Sequence, residues 1–125
     1  MERINLMPYV GTYQDSILDT VKKSVGLSPD VKDFDSDILL AINSVLSVLN
    51  QIGIGIPNGF VVSDSSQVWS DFLGEDSRYE RVKSYICTRV RLIFDPPTNS
   101  NVTAALEKYC QEFETRAHYI FELDK

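Results

Sequence analysis

Few residues in this chain could do chemistry, and their spacing points away from it. His118 is the single histidine. A general base needs a partner within hydrogen-bond reach and a pKa tuned to its task. At helical spacing His118 has only Glu114 one turn back, the setting of a surface or groove histidine. Ser63-Asp64-Ser65-Ser66 combines hydroxyls with a carboxylate, but a nucleophile elbow needs a strand that turns sharply into a helix. Here the acid heads a short helix. The glycines of Gly53-Ile54-Gly55-Ile56-Pro57-Asn58-Gly59 follow a helix rather than a strand, and they fit neither the dinucleotide nor the phosphate-loop spacing. Asp30, Asp33, Asp35 and Asp37 lack the glycine and closing glutamate of a calcium loop and suit helix capping. Cys87 and Cys110 are far apart with no metal-site spacing, and read as reduced core thiols of a cytosolic product. The expectation is a protein that is not an enzyme and has no catalytic residue, cofactor site or metal site.

What remains must act by shape, and the elements that could hold a shape are legible. The 125 residues suit one domain, and 43% hydrophobic with 24% charged residues is a globular composition. The net charge of −6 argues against a surface that grips nucleic acid throughout. Met1-Glu2-Arg3-Ile4-Asn5 leads into no apolar stretch of signal-peptide length, and no run of apolar residues is long enough to span a membrane.

Residues 1–11, with Pro8 and Gly11, read as an N-terminal arm that is either frayed or packed on a partner. A first helix is expected from about Tyr13 to Val25, with Thr12 as N-cap and Gly26 past its end; Ile17, Leu18, Val21 and Val25 form its apolar stripe. A second helix starts after Asp33-Phe34-Asp35-Ser36-Asp37, with Asp35 or Ser36 as its cap. From Ile38 to Ile52 it is apolar on more than one face, as in a helix buried on several sides, inside the fold or between subunits. Residues 53–77 form a long loop, with Phe60-Val61-Val62 strand-like and a short helix over Ser65–Leu73 capped by Asp64. Loops of this length usually carry function. A fourth helix covers Arg78–Phe94, with Val82, Ile86, Val90 and Ile93 inward and Tyr85 widening the stripe. The C-terminal helix occupies residues 100–125. It has Ser100 or Asn101 as cap, and a stripe of Val102, Leu106, Tyr109, Phe113, Ala117 and Ile120. The fold class is mainly α, a small bundle of four to five helices with a long loop between the second and fourth.

Between the last two helices stands Asp95-Pro96-Pro97. Proline disfavours helical geometry in the residue before it, so the fourth helix must end near Phe94. Two prolines in a row leave few accessible states. The corner fixes the angle between two long amphipathic helices. Before it, residues 78–91 carry Arg78, Arg81, Lys83, Arg89 and Arg91 against Glu80 alone. Arg81, Ser84, Thr88 and Arg91 share one face. That face fits DNA contact, a neighbouring copy's acidic loop (Asp64, Asp71, Glu75, Asp76), or plain solvent.

The segments FDSDILLAINSVLSVLNQIGIG, WSDFLG and VKSYICTRVRLIFDPPTNS, followed by a long final helix, resemble the head–tail connector proteins of tailed bacteriophages, also called adaptor or head-completion proteins. The likeness covers roughly residues 15–123 and leaves the arm aside. It implies a structural virion protein at the neck, assembled in the host cytoplasm. Such a protein forms a ring, twelvefold in the family, under the portal protein. The ring extends the DNA channel and docks a downstream stopper or tail-completion protein, while genomic DNA passes without specific binding. The resemblance places subunit contacts on the long loop, so Phe60, Val61, Val62, Trp69, Phe72 and Leu73, with Arg81 and Arg91, are candidate interface residues. It places portal contacts on the last helix, at Tyr119, Ile120, Phe121 and Leu123. The alternative reading is a small helical DNA-binding packaging accessory protein.

Overall fold

The computed structural model describes residues 15–55, 59–74 and 80–122, the side chains of residues 80 and 118–122 excepted. The arm at 1–11 lies outside them. Five helices are present among the described residues: α1 (Ile17–Ser24), α2 (Asp35–Ile52), α3 (Trp69–Leu73), α4 (Glu80–Phe94) and α5 (Ser100–Glu122). The chain is a small, mainly α bundle.

α1 starts at Ile17, the first residue of its stripe and later than the expected Tyr13, which with Thr12 lies outside the described residues. Ser16 is extended and its hydroxyl accepts from the Asp19 amide at 3.2 Å, which makes Ser16 the N-cap in place of Thr12. The cause is tertiary. Ile17 N–H donates to the Gln67 carbonyl at 3.0 Å and Trp69 N–H to the Asp15 carbonyl at 3.2 Å, framing an isolated antiparallel bridge between Ser16 and Val68. The end of α1 is as expected. Gly26 takes φ +87°, the Leu27 amide donates to the Lys22 carbonyl and the Gly26 amide to the Lys23 carbonyl, a Schellman closure.

α2 is entered through Phe34, which occupies the cap position and supplies no side-chain bond. Asp35, expected as the cap, is instead the first helical residue, and its carboxylate meets the Lys22 ammonium at 2.7 Å. Lys22 is wholly buried and also donates to the carbonyls of Pro29 (3.0 Å) and Val31 (2.5 Å), tying the turn between α1 and α2 to both. α2 buries Ile38, Ala41, Ile42, Val45, Leu46 and Leu49, while Leu40 and Val48 stay exposed. α4 is its main neighbour, and α1 and α5 complete the packing around these two. Each aliphatic side chain removed from water in this core contributes about 1.5–3 kcal/mol.

Much of the long loop belongs to this core. Ile54, Val62, Trp69, Phe72 and Leu73 are buried, and the Trp69 indole N–H reaches the Thr20 hydroxyl at 3.3 Å. Phe60-Val61-Val62 forms no strand. The Asn43 amide takes a strand partner's place, accepting from Val62 N–H and donating to the Val62 carbonyl, both at 2.9 Å. Gly55 sits at φ +94°, where a Cβ would overlap the Phe72 ring, so glycine is required for close approach. α3 is shorter than expected because residues 63–67 form their own turn. The Gln67 side chain accepts from the amides of Ser63 (2.9 Å) and Asp64 (3.1 Å), and Asp64 accepts from the Ser66 amide and hydroxyl. The helix then starts at Trp69, with the Asp71 carboxylate accepting from Val68 N–H at 3.0 Å.

Two apolar stripes also shift. Val82, Tyr85, Ile86 and Val90 are buried on α4 as expected, but Ile93 is 55% exposed, while its neighbours Leu92 and Phe94 pack against the core. On α5 the expected stripe holds at Leu106, Phe113 and Ala117 and departs at Val102 and Tyr109, while the Ile120 side chain lies outside the described residues. Cys110 is buried where Tyr109 was expected, Ala117 is buried and Leu106 and Phe113 are half-buried, while Val102 and Tyr109 face out.

Candidate functional site

The α4–α5 pair is held by a polar cluster on its partly covered flank. Tyr85 stacks on Phe113 with ring centroids 4.4 Å apart, and its hydroxyl donates to Glu114 at 2.5 Å. Arg89 donates to the same carboxylate oxygen through Nε (3.1 Å) and one terminal nitrogen (2.7 Å), and through the other to Glu107 at 3.1 Å. Burial, then the Glu114 hydrogen bond, holds the Tyr85 phenol well above its usual range, so it remains a donor. Arg89 is therefore spent inside the chain rather than on a basic surface, and Lys83 is fully buried. Of the basic residues at 78–91, Arg81 and Arg91 are exposed, and Arg78 lies outside the described residues.

The corner joins the same two helices. α4 ends with Asp95 N–H on the Arg91 carbonyl at 2.8 Å. Asn99, one residue before the expected caps, accepts from the amides of Asn101 (2.8 Å) and Val102 (3.2 Å) and so caps α5. The Thr103 hydroxyl then closes back on the Pro97 carbonyl at 3.0 Å. Pro96 and Pro97 are thus bracketed by hydrogen bonds on either side.

Beside the corner lies an open groove of about 640 Å3, lined among others by Phe34, Asp37, Leu40, Ile93 and Asp95. Phe34 meets Phe94 edge-on with centroids 5.7 Å apart. Leu40 is 70% exposed and Phe34 41%. Sequence reasoning missed this groove. The signal was the excess apolar width of α2, where Leu40 lies about 200° around the helix from Ile38 and cannot share its face.

The candidate interface residues separate. Val62, Trp69, Phe72 and Leu73 are packed inside the chain; Phe60 is half-buried against Phe72, with centroids 5.4 Å apart. Val61, Arg81 and Arg91 are exposed. The side chains of His118, Tyr119, Ile120 and Phe121, and all of Leu123, lie outside the described residues. Asp64 is an exposed turn residue whose carboxyl is held below its usual value by hydrogen bonds from the Ser66 hydroxyl and amide; the described residues around it form a hydrogen-bonded turn. Among the described residues no three histidine, cysteine or acidic side chains group as metal ligands.

The described residues thus present a hydrogen-bonded corner beside an open apolar groove. The family model of the phage connector protein matches residues 17–123. The chain belongs to the phage connector family. No curated protein and no solved structure matches it. The match runs from the first residue of α1 to just past α5, so every described element lies within the connector domain. Connectors are structural proteins of the phage neck, which agrees with a chain whose polar clusters brace helices. None of the described helices is long and apolar enough to cross a membrane.

Proposed function

We propose that this connector assembles as a closed ring, twelvefold as in the family, beneath the portal, where it extends the DNA channel and docks the next neck or tail protein. The observation that carries the reading is the groove. The chain completes its own core, yet leaves Leu40, Ile93 and Phe34 in the open beside a corner braced on both sides. Exposed apolar surface of this kind marks an interaction site. A ring closes only if every copy meets the next at one angle, and the proline corner supplies a fixed one. The acidic chain suits a channel through which DNA slides, since a ring of such copies repels phosphate wherever its acids face the lumen. The end of α5, with Tyr119, Ile120, Phe121 and Leu123, is the portal-binding segment in this reading. The protein acts in the virion neck after assembly in the host cytoplasm.

The DNA-binding alternative is weakened by what α4 does with its cations. With Arg89 held by two glutamates and Lys83 buried, Arg81 and Arg91 are a thin basis for phosphate binding. The test is to mix the protein with assembled portal. Co-migration, together with loss of tailed particles when the protein is absent, supports the reading. No co-migration, with heads that still acquire tails, refutes it.

A further inference from the structure

We propose that the groove beside the corner is the seat for a second copy of this chain, which inserts the opposite side of its own α4–α5 pair. This deepens the ring reading and rests on it.

The groove has an apolar floor and an acidic edge. Phe34, Leu40 and Ile93 are its exposed apolar groups, and Asp37 and Asp95 are exposed acids among its lining. What fits it is an apolar ridge edged with cations.

The chain carries such a ridge. Val102 and Tyr109, one α5 face apart by seven residues, are 44% and 38% exposed. Arg81 is exposed on α4, the helix packed against α5, so its guanidinium can edge this ridge. Arg91 lies on the same α4 face as Arg81, ten residues on.

The two surfaces point in different directions. At 100° per residue, Ile93 lies roughly 120–160° around α4 from Arg81 and Arg91. A contact between two different patches on opposite sides of one element is head-to-tail, the kind that propagates around a ring and cannot end in an isologous pair. The charges match in sign: acids on the groove, guanidinium groups on the ridge, in a chain whose overall charge of −6 would otherwise drive copies apart. The acidic edge is thus Asp37 and Asp95 beside the corner, rather than the loop acids Asp64 and Asp71.

The test is a charge swap read by sedimentation velocity at low salt and by occupancy on phage heads prepared without this protein. One variant reverses the groove (Asp37→Arg with Asp95→Arg), the other the ridge (Arg81→Glu with Arg91→Glu). All four residues are exposed, and circular dichroism confirms folding. The wild type is expected to associate, each variant alone to associate at least about tenfold more weakly, and an equimolar mixture of the two to recover, because each reversed groove then meets a reversed ridge. If the wild type associates but the variants match it, or the mixture does not recover, the groove-to-ridge contact is refuted while the ring stands. If the wild type associates neither in solution nor on heads, the ring reading falls and takes this contact with it.

Discussion

The ammonium of Lys22, with no exposed surface, lies 2.7 Å from the Asp35 carboxylate across the turn that joins α1 to α2. The contact orders more than two charges. Lys22 also holds the carbonyls of Pro29 and Val31, so one side chain fixes where α2 begins.

Replacing Lys22 by methionine keeps the aliphatic stem and removes the charge, leaving a carboxylate that is only 24% exposed without its partner and two carbonyls without a donor. Losing one member of a buried pair typically costs about 3–5 kcal/mol, and the partial exposure of Asp35 places the expected loss at the lower end. Urea unfolding measures it. A loss under about 1 kcal/mol would mean that the turn holds itself.

Trp69 is core. It is fully buried and its indole donates to Thr20, so Trp69→Ala should lower the stability of the isolated chain by about 3–5 kcal/mol. Thermal melting at a concentration too low for association decides this. A small effect there would show that Trp69 contributes little to the core of the free chain.

The helices were legible in the sequence because periodicity and stop signals are local. Gly26 and Gly53 end α1 and α2, and Pro96 ends α4 at Phe94, all where the chain says they must. The starts were harder, since partners distant in sequence claim the capping residues: Lys22 takes Asp35, and the bridge to Val68 pulls Asp15 and Ser16 out of α1. Trp69, Phe72 and Leu73 read as interface candidates because they have no periodic context beyond five residues; the Asn43 and Thr20 contacts show that the loop folds back onto the core. The groove was invisible for a related reason. Leu40 and Ile93 read as core residues of their own helices, and only the packing of α2 against α4 shows that they are left over.

The thiols give the chain an alkaline signature. Cys87 and Cys110 are free, and burial, the largest cause for both, pushes each from 9.0 up to about 11. A folded-state pKa above the unfolded one stabilises fully below pH 9 and is lost as pH rises through about 11. Melting temperature should therefore fall between pH 9 and 11, and Cys87→Ala with Cys110→Ala should flatten the first part of that fall. Tyr85, also raised, adds its own loss above pH 10. An identical slope with and without the thiols would contradict the assignment.

The corner should matter more to assembly than to folding. Pro96→Ala with Pro97→Ala keeps the Pro97 carbonyl that Thr103 uses and the Asn99 cap, and mainly adds freedom to the unfolded chain, at about 0.4–1 kcal/mol per proline. Helicity by circular dichroism should be preserved, while association on phage heads drops sharply. Equal loss of both, or of neither, would contradict the fixed-angle argument.

Electron microscopy of the head vertex, comparing particles with and without this protein, bears most directly on the central claim that the chain works by repeating a fixed shape around the DNA channel. The account predicts a closed ring of density beneath the portal that disappears when the protein is absent. A vertex unchanged by its absence, or a single asymmetric copy in place of a ring, would contradict it.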